Sequence, residues 1–142
     1  MTKKWLVPID GSEIALHSID WIIKHAADCR EPPQILLINV QVTLPNDIGR
    51  FINADTLREF HLETGMAALA AARDRLVAAG LSPELHVMVG DPASTITEFA
   101  DSHACSQILI GTHGNSGLTG TLLGSVAMKV VHRAKIPVLL IR

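Results

Sequence analysis

The chain has 142 residues, 48% of them apolar and 18% charged, with a formal net charge of −2. That length and balance give one domain with a true core, and they exclude disordered, collagen-like and tail-bearing chains. A near-neutral charge and 4% aromatics argue against nucleic-acid binding, which needs a basic face or a stacking platform.

No apolar run is long enough to span a bilayer. The opening "MTKKWLVPIDGS" reaches Asp10 before it takes the form of a signal peptide, so a cytoplasmic protein is expected. "KWLVPI", residues 4–9, reads as a strand. "GSEIALHSIDWIIKHAADC" then reads as a helix with Leu16, Ile19, Ile23 and Ala26 on one face and Ser12 as a candidate cap. "QILLINVQV" is a second strand, apolar enough to be buried on both faces. Residues 43–52 carry Pro45, Asn46 and Gly49 and read as a loop. A long helix follows to about Ala79, with Leu62, Leu69, Ala72 and Leu76 as its buried face and Gly80 as its stop. "SPELHVMV" is a third strand. "GDPASTITEFADSH" is a turn and a helix with Pro92 at its first position. "CSQILIG", "GSVAMKVVHRA" and "IPVLLIR" complete the chain as strand, helix and strand. Such alternation predicts an α/β fold, an open five-stranded parallel sheet with helices on both faces.

Five glycines, at 111, 114, 117, 120 and 124, crowd the link between the fourth strand and the last helix. The spacing is Gly111, two residues, Gly114, nine residues, then Gly124 and Ser125. A loop of that length can wrap a polyphosphate. The free amides where the helix begins suit an anion, and the Ser125 hydroxyl adds a donor. No G-K-[ST] follows, so this is not a Walker A loop, and no G-x-G-x-x-G follows the first strand. A tight, crowded connection is the competing reading of the same glycines.

Other chemistry finds little support. Cys29 and Cys105 lack C-x-x-C spacing and read as small hydrophobes. The seven histidines show no ligand spacing, so no metal site is assigned. Ser125 has no G-x-S-x-G elbow. Asp55, Glu59 and Glu63, with Arg58 nearby, read as a solvated helix face. No catalytic residue is assigned.

The motifs "VPIDGS" at 7–12, "VGDP" at 89–92, "IGTHGNSGLTGTLLGSVAMKVV" at 110–131 and the terminal "IPVLLIR" resemble the universal stress protein family, in its ATP-binding branch. The resemblance covers essentially the whole chain and implies strand order 3-2-1-4-5, a homodimer and ATP binding. It places Gly111 and Gly114 under the ribose and α-phosphate, and Gly124, Ser125 and Val126 at the outer phosphates. Pro8 and Asp10 match the first-strand end, Val40 the backbone that faces adenine, and Ser12 a hydroxyl near phosphate. With Thr112, His113 and Asn115 these form the candidate nucleotide site. Asn115 and Gly120 stand where many relatives carry arginine, which implies modest affinity or a need for Mg²⁺ or Mn²⁺.

Function is therefore expected to be that of an ATP-binding stress-response or regulatory protein with little turnover. The alternatives are a slow ATP-hydrolysing enzyme and a nucleotide-free regulatory module, for example of a transporter. A homodimer through residues 136–142 is expected, since an apolar edge strand invites pairing. A protein partner under regulation is a further expectation.

Overall fold

The structure is a computed structural model that describes residues 2–45, 51–113 and 123–142. Five strands form one parallel sheet, in the order β3-β2-β1-β4-β5. They are β1 (Lys4–Pro8), β2 (Gln34–Gln41), β3 (Glu84–Val89), β4 (Gln107–Gly111) and β5 (Val138–Ile141). Between them lie α1 (Leu16–Ala26), α2 (Ala54–Ala78), α3 (Pro92–Ser102) and α4 (Ser125–Arg133). The expected fold class and strand order are both found.

The central strands read as unbroken apolar runs because each buries both faces. Alternate side chains of one strand enter different cores. Trp5, Val7, Ile35, Leu37 and Leu109 pack under α1 and α2, with Ile19, Ile22, Leu69, Ala72 and Leu76. Leu6, Leu36, Ile38, Ile108 and Ile110 pack under α3 and α4, with Ile96, Phe99, Ala127 and Val130. Register is in phase along β1, where Lys4 pairs with Gln34 and Pro8 with Ile38.

Two expected helix faces need correction. In α2, Leu62 is 55% exposed, whereas His61 and Gly65 are buried with Leu69, Ala72 and Leu76. The contact stripe runs at 61, 65, 69, 72 and 76, one residue off Leu62 and so about 100° away from it on the helix. Gly65 belongs to the stripe because the helix lies close on β3: a Cβ there would come within 2.8 Å of Val87 Cγ2. In α1 the deepest residues are Ser18, Ile19, Ile22 and Ala26, while Leu16 and Ile23 pack at the margin. α1 also starts later than expected. Residues 13–15 form a tighter lead-in turn, with the Leu16 amide donating to Glu13 O at 3.1 Å. Ser12 caps that turn, its Oγ accepting from the Ala15 amide at 3.2 Å.

At the far end of the sheet from the carboxyl termini of the strands, Trp5 and Trp21 stand 6.2 Å apart, and Trp21 lies 4.2 Å from the His25 ring.

Helices α2 and α3 end in the same six-residue hydrogen-bond pattern. After α2 the Leu81 amide donates to Leu76 O at 2.9 Å and Gly80 N to Val77 O at 3.0 Å. After α3 the Cys105 amide donates to Ala100 O at 2.9 Å and Ala104 N to Asp101 O at 3.2 Å. Both are Schellman ends, which need a left-handed residue. Gly80 supplies it at φ 84°, but after α3 the position is Ala104 at φ 53°. An alanine there carries the Cβ clash that glycine avoids. Ala104→Gly should therefore raise stability by about 0.5–1 kcal/mol, net of the added freedom of the unfolded chain. Urea unfolding checks this, and a lower midpoint in the variant refutes it.

Candidate functional site

The winding reverses between β1 and β4. From β1 the chain builds outward through β2 and β3, then returns to place β4 and β5 on the other side. The connections leave the carboxyl ends of β1 and β4 in opposite directions, which opens a crevice between them. A cleft of about 400 Å³ lies there.

Each wall comes from a strand end or a helix start. β1 leads into Pro8, Ile9 and Asp10, and β2 contributes Ile38 to Gln41, with Val42 just beyond its end. β4 ends in Gly111, Thr112 and His113, and α4 begins with Gly124, Ser125, Val126 and Ala127. Pro92 and Ile96 of α3 complete the apolar side. The turn after β1 is held by Asp10, whose Oδ1 accepts from the Ser12 amide at 3.0 Å and from Ser12 Oγ at 2.6 Å. Gly11 adopts φ 89° between them, a conformation suited to glycine. Ser12 itself does not line the cleft, because its hydroxyl is committed to Asp10 and to the turn.

At Gly111 a Cβ would lie 3.4 Å from His113 O and 3.8 Å from Ile14 O, ordinary contact distances, so the end of β4 lies beside the turn that opens α1 without requiring a bare residue. Beyond it the Thr112 amide continues the β5 pairing, donating to Ile141 O at 2.9 Å. The Thr112 carbonyl accepts from the Gly124 amide, which ties the two ends of the glycine-rich loop together. Gly114 and Asn115 lie outside the described residues. α4 then starts at Gly124 with no side-chain cap. Its first intrahelical bond runs from Met128 N to Gly124 O at 3.0 Å, so the amides of Ser125 and Val126 precede the helix ladder, and both residues line the cleft.

The structure thus gathers Pro8, Asp10, Val40, Gly111, Thr112, His113, Gly124, Ser125 and Val126 around one space. The sequence did not mark Asn39, Gln41, Val42, Pro92 or Ile96 as part of it. Pro92 and Ile96 come from the helix after β3; Pro92 closes the motif "VGDP", but its spacing does not place it beside the glycine loop. Charge in the cleft is sparse. Among the described lining residues Asp10 is the one carboxylate, and there is no lysine or arginine. The sequence from 114 to 122 carries no charged residue either. The thiol of Cys105 lies in the core away from the cleft, and burial pushes its pKa up, which keeps it protonated and unreactive.

The sequence profile of the universal stress protein family matches residues 1–142. The chain belongs to that family. Universal stress protein YxiE of Bacillus subtilis is 31% identical over 150 residues, with 100% of each chain covered. Among solved structures the chain is similar to hypothetical protein MJ0577, at TM-score 0.84 and 25% identity, with 99% of this chain and 96% of the other covered. It is also similar to a universal stress protein crystallised in complex with cAMP, at TM-score 0.70 and 28% identity, covering 99% and 97%.

One wall of the cleft depends on a capped helix start. Asp91 caps α3, accepting from the Ser94 amide at 3.1 Å and Ser94 Oγ at 2.8 Å, and Arg133 of α4 lies 3.5 Å away. The bonds from Ser94, aided by Lys129 and Arg133, hold the Asp91 carboxyl below its ordinary 3.8. A lowered folded pKa stabilises the fold above the unfolded value, and that contribution is lost as pH falls through the folded one. Asp91→Ala should therefore lower the melting temperature at pH 7, with the gap to wild type closing below pH 3.8. Thermal melts at several pH values test this, and a gap that persists unchanged into acid would refute it.

Proposed function

We propose that this cleft binds an adenine nucleotide, ATP with Mg²⁺ or Mn²⁺, and that the protein is a cytoplasmic stress-response regulator whose bound state is its signal. The observation that carries this reading is the uncapped start of α4. Gly124, Ser125 and Val126 line the same space that receives the ends of β1 and β2, and the first amides of a helix have no intrahelical partner. Amides and the positive end of a helix favour phosphate. The apolar wall of Ile96, Val126 and Val42 suits a planar base, and Asp10 stands where a ribose hydroxyl can donate. A divalent cation would supply the positive charge that the lining side chains lack. The similar protein held in complex with cAMP supports a nucleotide of this class.

Catalysis is a poor match to this cleft. Besides a metal ion, phosphoryl transfer depends on an arginine or lysine placed to stabilise charge in the transition state, and the described lining residues include neither.

ATP with Mg²⁺ should stabilise the protein, by about 2.7 kcal/mol at a hundred times its Kd, and AMP should do so less. Ser125→Asp puts a carboxylate where the phosphate would lie. The variant should keep its melting temperature, since an acid suits a helix start, and lose the ATP shift. Hydrolysis in the same samples should fall far below the enzyme median of about 10 s⁻¹. A wild-type melt that ATP leaves unmoved refutes the reading, as does a full shift in Ser125→Asp.

The protein is further proposed to be a homodimer through residues 136–142. β5 closes one end of the sheet and pairs only with β4 among the described residues, from Ile108–Val138 to Gly111–Ile141. Leu140 is 37% exposed on that strand. Two copies can pair antiparallel about a two-fold axis. Sedimentation should show a dimer at micromolar concentration and a folded monomer for Leu140→Lys, since lysine blunts a strand edge. A monomeric wild type refutes the arrangement. Any regulated protein partner would meet this dimer.

A further inference from the structure

The end of β2 carries two amides, Asn39 and Gln41, and both line the cleft. Asn39 is 4% exposed, a depth at which a polar side chain has to be fully satisfied. Its neighbour fixes its orientation. The Ile9 carbonyl can only accept, so the Asn39 atom facing it at 2.9 Å is Nδ2. Oδ1 is then at the other end and can itself only accept. Gln41 therefore meets it with Nε2, at 2.7 Å. That leaves Oε1 as the free end of the Gln41 amide, with no hydrogen bond from the described residues. A main-chain carbonyl of the β1 turn thus dictates, through two side chains, which atom Gln41 offers. The backbone of Gln41 is also held, in register with Val89 and with its carbonyl accepting from the Gly90 amide at 2.9 Å.

Satisfying the Ile9 carbonyl does not require this second amide, because Asn39 does so alone. What Gln41 adds is an oriented acceptor on the β2 side of the cleft, where the neighbouring lining residues Ile38, Val40 and Val42 are apolar. We infer that Gln41 is a specificity-determining residue for the nucleobase, and that Asn39 is the positioning residue that keeps its amide from turning over. Oε1 accepts from the exocyclic 6-amino group of adenine. In a 6-oxo purine the same place holds an oxygen, so two acceptors face each other and neither is satisfied. Discrimination of this kind rests on the cost of leaving polar groups unmatched.

The inference depends on the nucleotide reading above, and the experiment separates the two. Mg-ATP and Mg-ITP share their sugar and phosphates and differ in the base. Wild type should bind ATP about three- to tenfold more tightly than ITP. Gln41→Leu, at the rim, should fold and bring that ratio to about one, mainly by weakening ATP. Asn39→Ala should lower the ratio with Gln41 still present, since the freed amide can present either end. If Asn39→Ala fails to fold, Gln41→Leu decides. Equal binding of ATP and ITP by wild type, or a ratio that survives Gln41→Leu, overturns the role of Gln41 and leaves nucleotide binding standing. Binding of neither nucleotide to wild type overturns both.

Discussion

The parallel pairing of β1 with β2 on one side and β4 on the other is the constraint on which the rest depends. β1 is only five residues long, yet Trp5, Leu6 and Val7 are all buried and feed both cores. Because its two neighbours are reached by chains that leave in opposite directions, its carboxyl end cannot be covered by a crossover. The gap that results is a consequence of topology, not of any one residue. The residues that follow β1 then become the floor of the cleft, and the turn held by Asp10 and Ser12 becomes its edge.

That turn connects the sheet to the site in a second way. Ile9 continues β1 far enough for its amide to donate to Ile38 O at 2.9 Å, while its carbonyl turns to Asn39. One residue therefore joins the backbone ladder on one side and starts the side-chain relay on the other. The helix starts at α3 and α4 are treated differently. α3 is closed by Asp91, with Arg133 reaching across from α4. α4 is left open at Gly124. The difference leaves one helix start inert and the other able to take an anion.

Much of the fold was legible in the sequence because its signals are local. The runs "LLIN" and "ILIG" read as buried strands, and Gly80 and Pro92 mark a helix end and a helix start by their own backbone limits. The helix faces were less legible. Leu62 looks like a core residue, but the close approach at Gly65 sets the rotation of α2 and turns Leu62 outward. In the site, the glycine spacing pointed to the ends of the loop. Asn39 and Gln41 carry no such mark, since an amide within a strand gains its meaning only when Ile9, thirty residues earlier, folds against it. Ser12 shows the opposite case. Its partners, Asp10 and the Ala15 amide, lie two and three residues away, so the turn it holds is local and within reach of a sequence reading.

The pairing of the two tryptophans has an optical consequence. The sequence holds two tryptophans and no tyrosine, so Trp5 and Trp21 provide nearly all of the intrinsic emission. They sit together, with the His25 ring against Trp21. Trp5 lies roughly 13 Å along the strand direction from the cleft floor at Ile9. Emission from this pair follows the packing of α1 on the sheet and is almost blind to events at the strand ends. The molecule therefore carries a reporter of its folded state that is spectrally separate from its ligand, and the same cuvette can follow unfolding by tryptophan while a labelled nucleotide reports occupancy.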